Sequence, residues 1–507
     1  MTRPGQWRGR LGVPLRSPRF AMLAGFANVS IVNYAFGIAS GWLLIPGDFG
    51  LLAFAQTVLL IAGLVLTSGF SSSLARDLAT ATGARRGALV RGALLANLAL
   101  ALAMSIALVA LFAYGPLRSG FETGVVAALV ALTFPALAVS AITRAAAQGS
   151  ERFGAMTAIA VLEVAGKALV GVALMLAGFG AAGAVAGFLC GAIASDLWGG
   201  VILVRRLDIQ LWGAVEWPAL GVAGEQFGAR LGLALLLNLD VVAVKLFAGA
   251  DRAITGHYQA GIILANTPYY LGSALLPILF TRLAHLDRVA STAPAIGAAL
   301  RLALLVLLPC ELVLCAAPDL ALGALFPRPY VVGAPALRLL ALGNGAIILV
   351  AILATAYQAT GKARGAAGPM LAVAGCEAFA LRALVPAGHA EVAAALFLTA
   401  ATTALVLLGL AYLRGLDRRV IRRTAVWFLR YIAALTGGIL GGVVGLAMGG
   451  SVALAVGLGG LGYLGAALSL RLFPLPWLLA PVPPVPIAYQ PSIGGEAVYR
   501  TSIGGDE

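Results

Sequence analysis

Residues 221–282 read GVAGEQFGARLGLALLLNLDVVAVKLFAGADRAITGHYQAGIILANTPYYLGSALLPILFTR and form two apolar segments joined by a charged turn at Asp251 and Arg252. Polar residues interrupt the first apolar segment at Arg230, Asn238, Asp240 and Lys245. An ionised group is costly in hydrocarbon, so such residues usually face a bundle interior or a water-filled cavity. If the segment begins near Leu220, Arg230 lies about 15 Å along a helix, close to the middle of a hydrocarbon core about 30 Å thick. This position indicates a pathway for an anion.

The composition is that of an integral membrane protein. Of the 507 residues, 61% are hydrophobic and 11% charged, whereas soluble domains carry about 25% charged residues. The net charge of +14 would suggest nucleic-acid binding in a soluble protein. However, no basic cluster is interleaved with aromatic residues as a nucleic-acid groove would need. We therefore expect the positive charge to lie in cytoplasmic loops and to meet anionic lipids, with no nucleic acid as a partner.

The cysteines and histidines give no sign of a metal site or another cofactor. All four cysteines lie inside apolar runs, without metal-ligand spacing or a loop position for a disulfide, and we expect them to be packing residues. The basic N-terminus precedes an apolar run from Phe20 to about Leu44, which is longer than a signal-peptide core and lacks a small-residue cleavage site. We expect this run to be the first membrane span.

Apolar runs of about 20 residues separated by short polar turns predict an all-α polytopic protein with about fourteen transmembrane helices. The predicted spans are 20–44, 50–75, 92–113, 123–147, 154–177, 181–203, 219–247, 256–281, 296–316, 335–360, 366–385, 391–413, 429–449 and 451–472.

Basic residues in the loops predict the orientation, because they accumulate on the cytoplasmic side. With the N-terminus inside, 26 of the 34 basic residues fall on that side. Only three basic loop residues fall on the other side: Arg118, Arg252 and Arg328. Both termini are therefore predicted to be cytoplasmic.

A faint internal repeat predicts two matching halves. Residues 50–76 and 256–282 each begin with Gly and end with Arg, and Gly-x-x-Arg recurs at 149–152 and 361–364. Six helices separate the members of each pair, which predicts a parallel repeat about an axis along the membrane normal. The predicted organisation is an N-terminal segment 1–19, a six-helix bundle 20–203, a linker 204–218, a second six-helix bundle 219–413, two further helices 429–472 and a tail 473–507.

Two segments outside the spans have distinct compositions. The linker contains Trp212 and Trp217 and is predicted to lie in the membrane interface. The tail is rich in Pro and Gly and repeats Ser-Ile-Gly-Gly at 492–495 and 502–505, which predicts disorder. A partner-docking peptide is the alternative for the tail.

Several helix ends and turns resemble those of the polysaccharide-transport family, the Wzx-type oligosaccharide flippases of the multidrug/oligosaccharidyl-lipid/polysaccharide (MOP) exporter superfamily. The matching residues are 46–51 (PGDFGL), 73–76 (SLAR), 238–240 (NLD), 256–260 (GHYQA), 325–330 (LFPRPY), 338–341 (RLLA) and 358–362 (QATGK). The resemblance covers roughly 20–410 and is diffuse, because these segments carry no chemistry.

This resemblance implies two pseudo-symmetric six-helix bundles around a central cavity, followed by two additional helices. It also implies a protein of the bacterial inner membrane that moves a polyprenyl-pyrophosphate-linked glycan between leaflets by alternating access. Contact with the polysaccharide polymerase or export machinery is left open. Lipid II flippases also have about fourteen helices, but their arginine-rich first helix is not matched here. The first span offers only Asn28, Ser30 and Asn33.

The pyrophosphate requires fixed cations, and guanidinium matches phosphate oxygens in bidentate fashion. Arg230 is the leading candidate, with an ion pair to Glu225 as the alternative. Lys167 is a second candidate, although Glu163 lies one turn before it and an ion pair between them is the favoured interpretation. Arg382 is a third, unless it extends toward lipid headgroups, with Glu377 close by. Lys245 is discounted because it lies near a helix end.

Asp240 is the candidate site for a coupling proton or sodium ion, or else the structural partner of Arg230 or Lys167. Uncharged residues could line the sugar path, although each is more often a helix–helix hydrogen-bonding residue. The lining candidates are Asn33, Gln56, Asn97, Asn238, Asn266, Tyr269, Tyr270, Asn344 and Gln358.

The short outer loops contain no catalytic constellation, which argues against an enzyme. The sequence predicts a flippase of lipid-linked oligosaccharide. The alternatives are a drug or cation antiporter of the same superfamily and a membrane scaffold of an envelope polysaccharide assembly that docks through the tail.

Overall fold

The computed structural model describes most of residues 18–472. The described residues are 18–273 without 116, 208, 210, 211, 218–222, 249 and 250; residues 276, 279 and 283; and 289–472 without 386–388, 415–417, 448–451 and 471. The predictions for residues 1–17, for the end of the eighth span and for the tail 473–507 lie outside this part of the chain.

The described residues form helices and no strands. The first group of helices, which we call the first lobe, comprises α1 (Pro18–Leu43), α2 (Pro46–Ser68), α3 (Phe70–Leu78), α4 (Ala84–Ala113), α5 (Arg118–Phe121), α6 (Gly124–Gly149), α7 (Phe153–Leu176) and α8 (Gly180–Arg206). Within it, α7 packs along α8, and α6 packs against both α4 and α8.

The second lobe begins after the linker. It comprises α9 (Ala223–Leu236), α10 (Leu239–Phe247), α11 (Ala253–Ser273), α12 (Val289–Ala316), α13 (Pro318–Leu325), a 3-10 turn (Arg328–Gly333), α14 (Ala334–Ala359), α15 (Ala363–Leu384) and α16 (Ala390–Leu413). A C-terminal hairpin follows, formed by α17 (Arg418–Ala447) and α18 (Val452–Ser469). The two lobes meet chiefly where α2 packs on α11.

The predicted all-α membrane fold is confirmed. Each predicted span coincides with a helix or a bent helix pair. Among the described residues, ten helices are long and apolar enough to cross a membrane, and α9 with α10 makes an eleventh span bent by 47°. Pro135 lies inside a continuous α6. The span predicted at 50–75 lies within one apolar segment, Pro46–Leu78, that is long enough to cross a membrane. Within it, α2 ends at Ser68 and α3 begins at Phe70.

The cysteines are placed differently from the prediction. Cys190, Cys310 and Cys376 are exposed, and Cys315 is half-buried. They are therefore not core packing residues. Their apolar sequence context matches the lipid-facing surface of a helix bundle, where apolar side chains remain exposed in the absence of lipid.

The linker is fixed to the beginning of α4. Arg85 forms an ion pair with Glu216 at 2.8 Å, and Arg91 Nε donates to the Ala214 carbonyl at 2.7 Å. The hydrogen bonds from Arg85 hold the pKa of Glu216 below its ordinary value. Trp212 and Trp217 are left exposed. Their location in the membrane interface remains a prediction.

A proline in α12 explains how the C-terminal hairpin is attached. Pro309 has no N–H, so the carbonyl of Leu305 loses its intrahelical donor. The Tyr463 hydroxyl of α18 donates to that carbonyl at 2.8 Å, and the Tyr431 hydroxyl of α17 donates to Leu304 O at 2.8 Å. The hairpin is therefore held by two hydrogen bonds, one of which uses the carbonyl that Pro309 leaves without a donor.

We expect Tyr463→Phe to loosen this attachment, because it leaves the buried Leu305 carbonyl without a partner, at a cost of about 1–3 kcal/mol. The change should lower the midpoint of thermal unfolding of the detergent-solubilised protein. Tyr114→Phe is the matched control, since Tyr114 is 88% exposed. Equal midpoints for the two variants would contradict this account.

Candidate functional site

The lobes are in close contact at one end of the bundle, where α1 ends and α2 begins. We call this the Pro46 end. The Trp42 indole donates to Leu325 O at 2.9 Å, and the Tyr330 hydroxyl donates to Leu44 O at 2.9 Å. The rings of Phe49 and Tyr330 pack edge to face, with centroids 5.5 Å apart. Three side chains, those of Trp42, Phe49 and Tyr330, thus join α1 and α2 to the 3-10 turn region of the second lobe.

Two glycines allow the backbones of α2 and α11 to touch at the Pro46 end. A Cβ on Gly256 would lie 1.9 Å from Pro46 O, and a Cβ on Gly50 would lie 2.8 Å from Gly256 N. Gly50 and Gly256 are equivalent positions in the repeat predicted from the sequence. The structure brings them into contact, and the repeat itself remains a prediction.

Arg230 lies on an exposed face of α9. It is seven residues, about 10 Å, from Ala223, in the half of the span away from the Pro46 end. Gly228 and Gly232 face α15, where Ala367 and Met370 lie within 3.2 Å of the Cβ positions. Arg230 is two residues from each glycine, about 200° or 160° around the helix, and so lies opposite the α15 contact. The side chain of Glu225, its alternative partner, lies outside the described part of the chain.

The α9–α10 break places Asn238 and Asp240 in different environments. The Asn238 amide, in the break itself, donates to Ala234 O of α9 at 2.8 Å. Asp240 is 1% exposed and accepts from the Tyr258 hydroxyl at 2.7 Å and from Val241 N at 2.8 Å. The alternative that Asp240 pairs with Arg230 or Lys167 is wrong, because its side-chain partner is Tyr258.

A second carboxylate lies close enough to Asp240 to interact with it electrostatically. Glu377 of α15 is 4% exposed, and neither of its carboxylate oxygens has a hydrogen-bond partner among the described residues. The charges of Asp240 and Glu377 interact with one another and with Tyr258. We call Asp240, Tyr258 and Glu377 the acidic cluster. Repulsion and desolvation disfavour two bare buried charges that interact in this way, so the cluster favours binding a proton or a sodium ion.

Lys167 is buried in the first lobe rather than in contact with the acidic cluster. Its ammonium donates to Asn33 Oδ1 and lies 4.9 Å from the Phe36 ring centroid and 4.7 Å from that of Phe188. The Asn33 amide in turn donates to Val29 O at 2.9 Å. A cation between two aromatic faces and an amide oxygen is stabilised without a carboxylate partner.

The predicted ion pair between Lys167 and Glu163 is wrong. Glu163 binds Arg144 at 3.1 Å and accepts from the Ser140 hydroxyl at 2.7 Å. Both partners lie on α6, whereas Lys167 is on α7 with Glu163. Helical spacing brings Lys167 and Glu163 onto one face, but the packing of α6 supplies a guanidinium and a hydroxyl that bind the carboxylate directly.

Arg382 is near the end of α15 and is exposed. Its guanidinium stacks over the Phe247 ring, with 5.0 Å between the carbon Cζ and the centroid. The nearby Glu377 does not bind it, since the carboxylate oxygens of Glu377 have no partner in the described chain. Arg382 is thus held at the end of α10 by a cation–π contact.

The uncharged candidates are dispersed. Gln56 of α2 and Asn266 of α11 are half-buried, and Tyr270 of α11 is 50% exposed. The rings of Tyr269 and Tyr270 pack edge to face. The structure brings Asn33 to Lys167 but does not bring that pair to Asp240.

One cluster was missed from the sequence. Lys245 is 8% exposed and pairs with Glu122 of the first lobe, which also binds Arg252 at 3.2 Å. Its assignment as a helix-end lysine extending to headgroups is wrong. The available signal was Glu122 itself, an acid in a short outer loop.

Comparisons with known proteins agree with this fold. The sequence profile of a family described as polysaccharide biosynthesis protein matches residues 42–333, more than half of the chain. No curated protein sequence matches the chain.

Two solved structures are similar in fold. The structure "Lipid II flippase MurJ, inward closed conformation" has a TM-score of 0.69 at 12% identity, covering 90% of this chain and 99% of that one. The inward-facing multidrug resistance MATE family transporter of the MOP superfamily has a TM-score of 0.57 at 14% identity, covering 76% of this chain and 94% of that one. The chain therefore belongs to the polysaccharide biosynthesis protein family and has the fold of the MOP-superfamily transporters.

Proposed function

We propose that this membrane transporter is a flippase for a polyprenyl-pyrophosphate-linked oligosaccharide, acting by alternating access in the bacterial inner membrane. The observation that carries the proposal is Arg230, a guanidinium on an exposed face of a broken apolar span. A charge in such a segment is costly unless it faces water or an anion. Membrane transporters commonly build substrate sites on discontinuous helices.

The chemistry of Arg230 suits a pyrophosphate. Guanidinium binds phosphate oxygens in bidentate geometry and remains charged at any physiological pH. Lys167 is enclosed by Asn33 and two aromatic rings, so we assign it a structural role and leave Arg230 as the main phosphate ligand. Gln56, Asn266 and Tyr270 remain candidates for the sugar, and Arg382 for a peripheral contact with anionic lipid.

The contact at the Pro46 end supports alternating access. The distribution of basic residues predicts that this end faces outward and that both termini are cytoplasmic. With the lobes in contact there, substrate would enter from the cytoplasmic side. Delivery to the polysaccharide polymerase or export machinery would follow when the contact opens.

The acidic cluster favours coupling to a cation. Asp240 and Glu377 would exchange a proton or a sodium ion as the lobes move, which is the coupling-ion role proposed for Asp240. The same observation supports the second candidate, a drug or cation antiporter. The scaffold alternative depends on the tail, which lies outside the described residues.

We expect Arg230→Gln to reduce leaflet exchange of a polyprenyl-pyrophosphate glycan in liposomes by about 10- to 100-fold, because charge-assisted hydrogen bonds contribute about 1.5–3 kcal/mol. Arg422→Gln, also exposed, is the control. Unchanged exchange in Arg230→Gln, or export of a cationic dye without any glycan exchange, would reject the flippase in favour of the antiporter.

A further inference from the structure

The Pro46 end contains a pocket between the lobes that has not yet been assigned a role. Its volume is about 320 Å³, and its lining includes the charged residues Arg118, Glu122, Lys245, Asp251 and Arg252. Two of these, Arg118 and Arg252, are among the three basic residues predicted in outer loops. Cations that are rare on this side of the protein are thus concentrated at one place.

Glu122 neutralises this pocket from across the lobe interface. Glu122 follows α5 in the first lobe, whereas Lys245 lies in the last turn of α10 and Arg252 precedes α11 in the second. The Lys245 side chain is 3% exposed and that of Glu122 is 11% exposed, so the pair is shielded from water. Glu122 also has a backbone φ of 57°, which non-glycine residues seldom adopt.

Asp251, the other acid of the pocket, accepts a hydrogen bond from the backbone. One carboxylate oxygen of Asp251 accepts a hydrogen bond from Ala253 N at 2.9 Å, at the beginning of α11. Glu122 therefore supplies the anion for Lys245 and Arg252. Because Glu122 belongs to the first lobe, any separation of the lobes at this end removes it from both cations.

We infer that this pocket is a phosphate-binding site whose anion position is filled by Glu122 while the lobes are in contact. When they separate, Lys245 and Arg252 are left without an acceptor, and a phosphate group takes the place of the carboxylate, with Arg118 beside it. The Lys245 side chain is 3% exposed, and a buried ammonium is costly to leave unpaired. The Arg252 side chain is 70% exposed and can be reached from solvent, and guanidinium with ammonium suits a diphosphate.

This inference rests on the proposed function in one respect: the natural ligand would be the pyrophosphate of the transported lipid as it leaves on the outer side. Inorganic pyrophosphate provides a probe that needs no glycan and no transport. Pyrophosphate binding at the pocket and glycan-lipid exchange by Arg230→Gln are therefore independent measurements, and either proposal can be rejected without rejecting the other.

The test measures pyrophosphate binding by isothermal titration with the purified full-length protein in neutral phosphatidylcholine nanodiscs. We expect the Glu122→Gln variant to bind pyrophosphate at least tenfold more tightly than the parent protein. Adding Arg252→Gln to this variant should remove the increase in affinity. Glu216→Gln is the matched control, because Glu216 forms an exposed pair with Arg85. The proposal would be overturned if Glu122→Gln did not increase the affinity for pyrophosphate or if Glu216→Gln increased it equally. It would also be overturned if the increase persisted after Arg252→Gln was added.

A second measurement keeps the inference testable if Glu122→Gln does not fold. Thr255 lines the pocket and is 3% exposed. With the four native cysteines replaced, Thr255→Cys should react faster with a charged maleimide when pyrophosphate is present, and Arg252→Gln should abolish the acceleration. A rate independent of pyrophosphate would overturn the proposal.

Changing the lipid of the nanodisc distinguishes binding of a pyrophosphate group from binding of a phospholipid headgroup. Equal pyrophosphate affinity of Glu122→Gln in phosphatidylcholine and phosphatidylglycerol nanodiscs, at matched ionic strength, supports the assignment to a pyrophosphate group. Loss of binding in phosphatidylglycerol would mean that a phospholipid headgroup occupies the site, and would overturn that assignment.

Discussion

Gly256→Val is expected to reduce glycan-lipid transport by at least about 100-fold, equivalent to about 2.7 kcal/mol. A Cβ at Gly256 would lie 1.9 Å from Pro46 O and 2.9 Å from Pro46 Cα. These atoms are backbone, so no side-chain rotation can relieve the overlap, and α2 and α11 must move apart. The variant should therefore be unable to bring the lobes together at the Pro46 end.

The measurement is leaflet exchange in liposomes, with protein recovered by size exclusion to confirm folding. Gly409→Val in α16 is the matched control, because a Cβ at Gly409 meets no neighbour within 4 Å. A cysteine pair placed across the Pro46 end should cross-link in the control and not in Gly256→Val. Normal transport by Gly256→Val would mean that the contact between α2 and α11 is not part of the cycle.

Asp240→Asn is expected to abolish transport driven by an ion gradient while leaving pyrophosphate-lipid binding within about twofold. The amide keeps the size of the carboxylate. Its oxygen can accept from Val241 N while its NH2 group donates to the Tyr258 hydroxyl oxygen. It cannot take up and release a proton or hold a cation with Glu377. Uncoupled, passive exchange should therefore be retained and its response to the gradient lost.

The response is measured as exchange rates with and without imposed proton and sodium gradients. Glu377→Gln should give the same loss, since the two acids act on one ion. Glu391→Gln is the control, because Glu391 is exposed in the first turn of α16. A normal gradient response in Asp240→Asn would remove the acidic cluster from the coupling mechanism and leave it as a structural feature.

Much of the fold could be predicted because a membrane imposes simple rules on sequence. Backbone groups in hydrocarbon must be satisfied within the segment, so apolar runs of about 20 residues become helices. The spans around Pro135 and Arg230 were located in this way. The internal repeat is predicted from the matching stretches 50–76 and 256–282 and from the recurring Gly-x-x-Arg. The close approach of Gly50 and Gly256 is seen only in the structure.

The partners of the charged residues were predicted less well. Helical spacing suggested that Glu163 would bind Lys167, but α6 brings Arg144 and Ser140 to that carboxylate. Depth in the span suggested that Lys245 would extend to the surface, but an acid from the other lobe covers it. Spacing along one helix says nothing about what a neighbouring helix presents.

The sequence by itself determined that this chain is a helical membrane protein, placed its spans, and identified its superfamily through turns and helix ends. It also picked out Asp240 as a buried acid. Only the tertiary structure decided that Glu377 lies near Asp240 and that Glu122 joins Lys245 and Arg252 across the lobes. The reason is physical: hydrophobicity and helix length act locally along the chain, whereas an ion pair depends on which helices pack together and at which height.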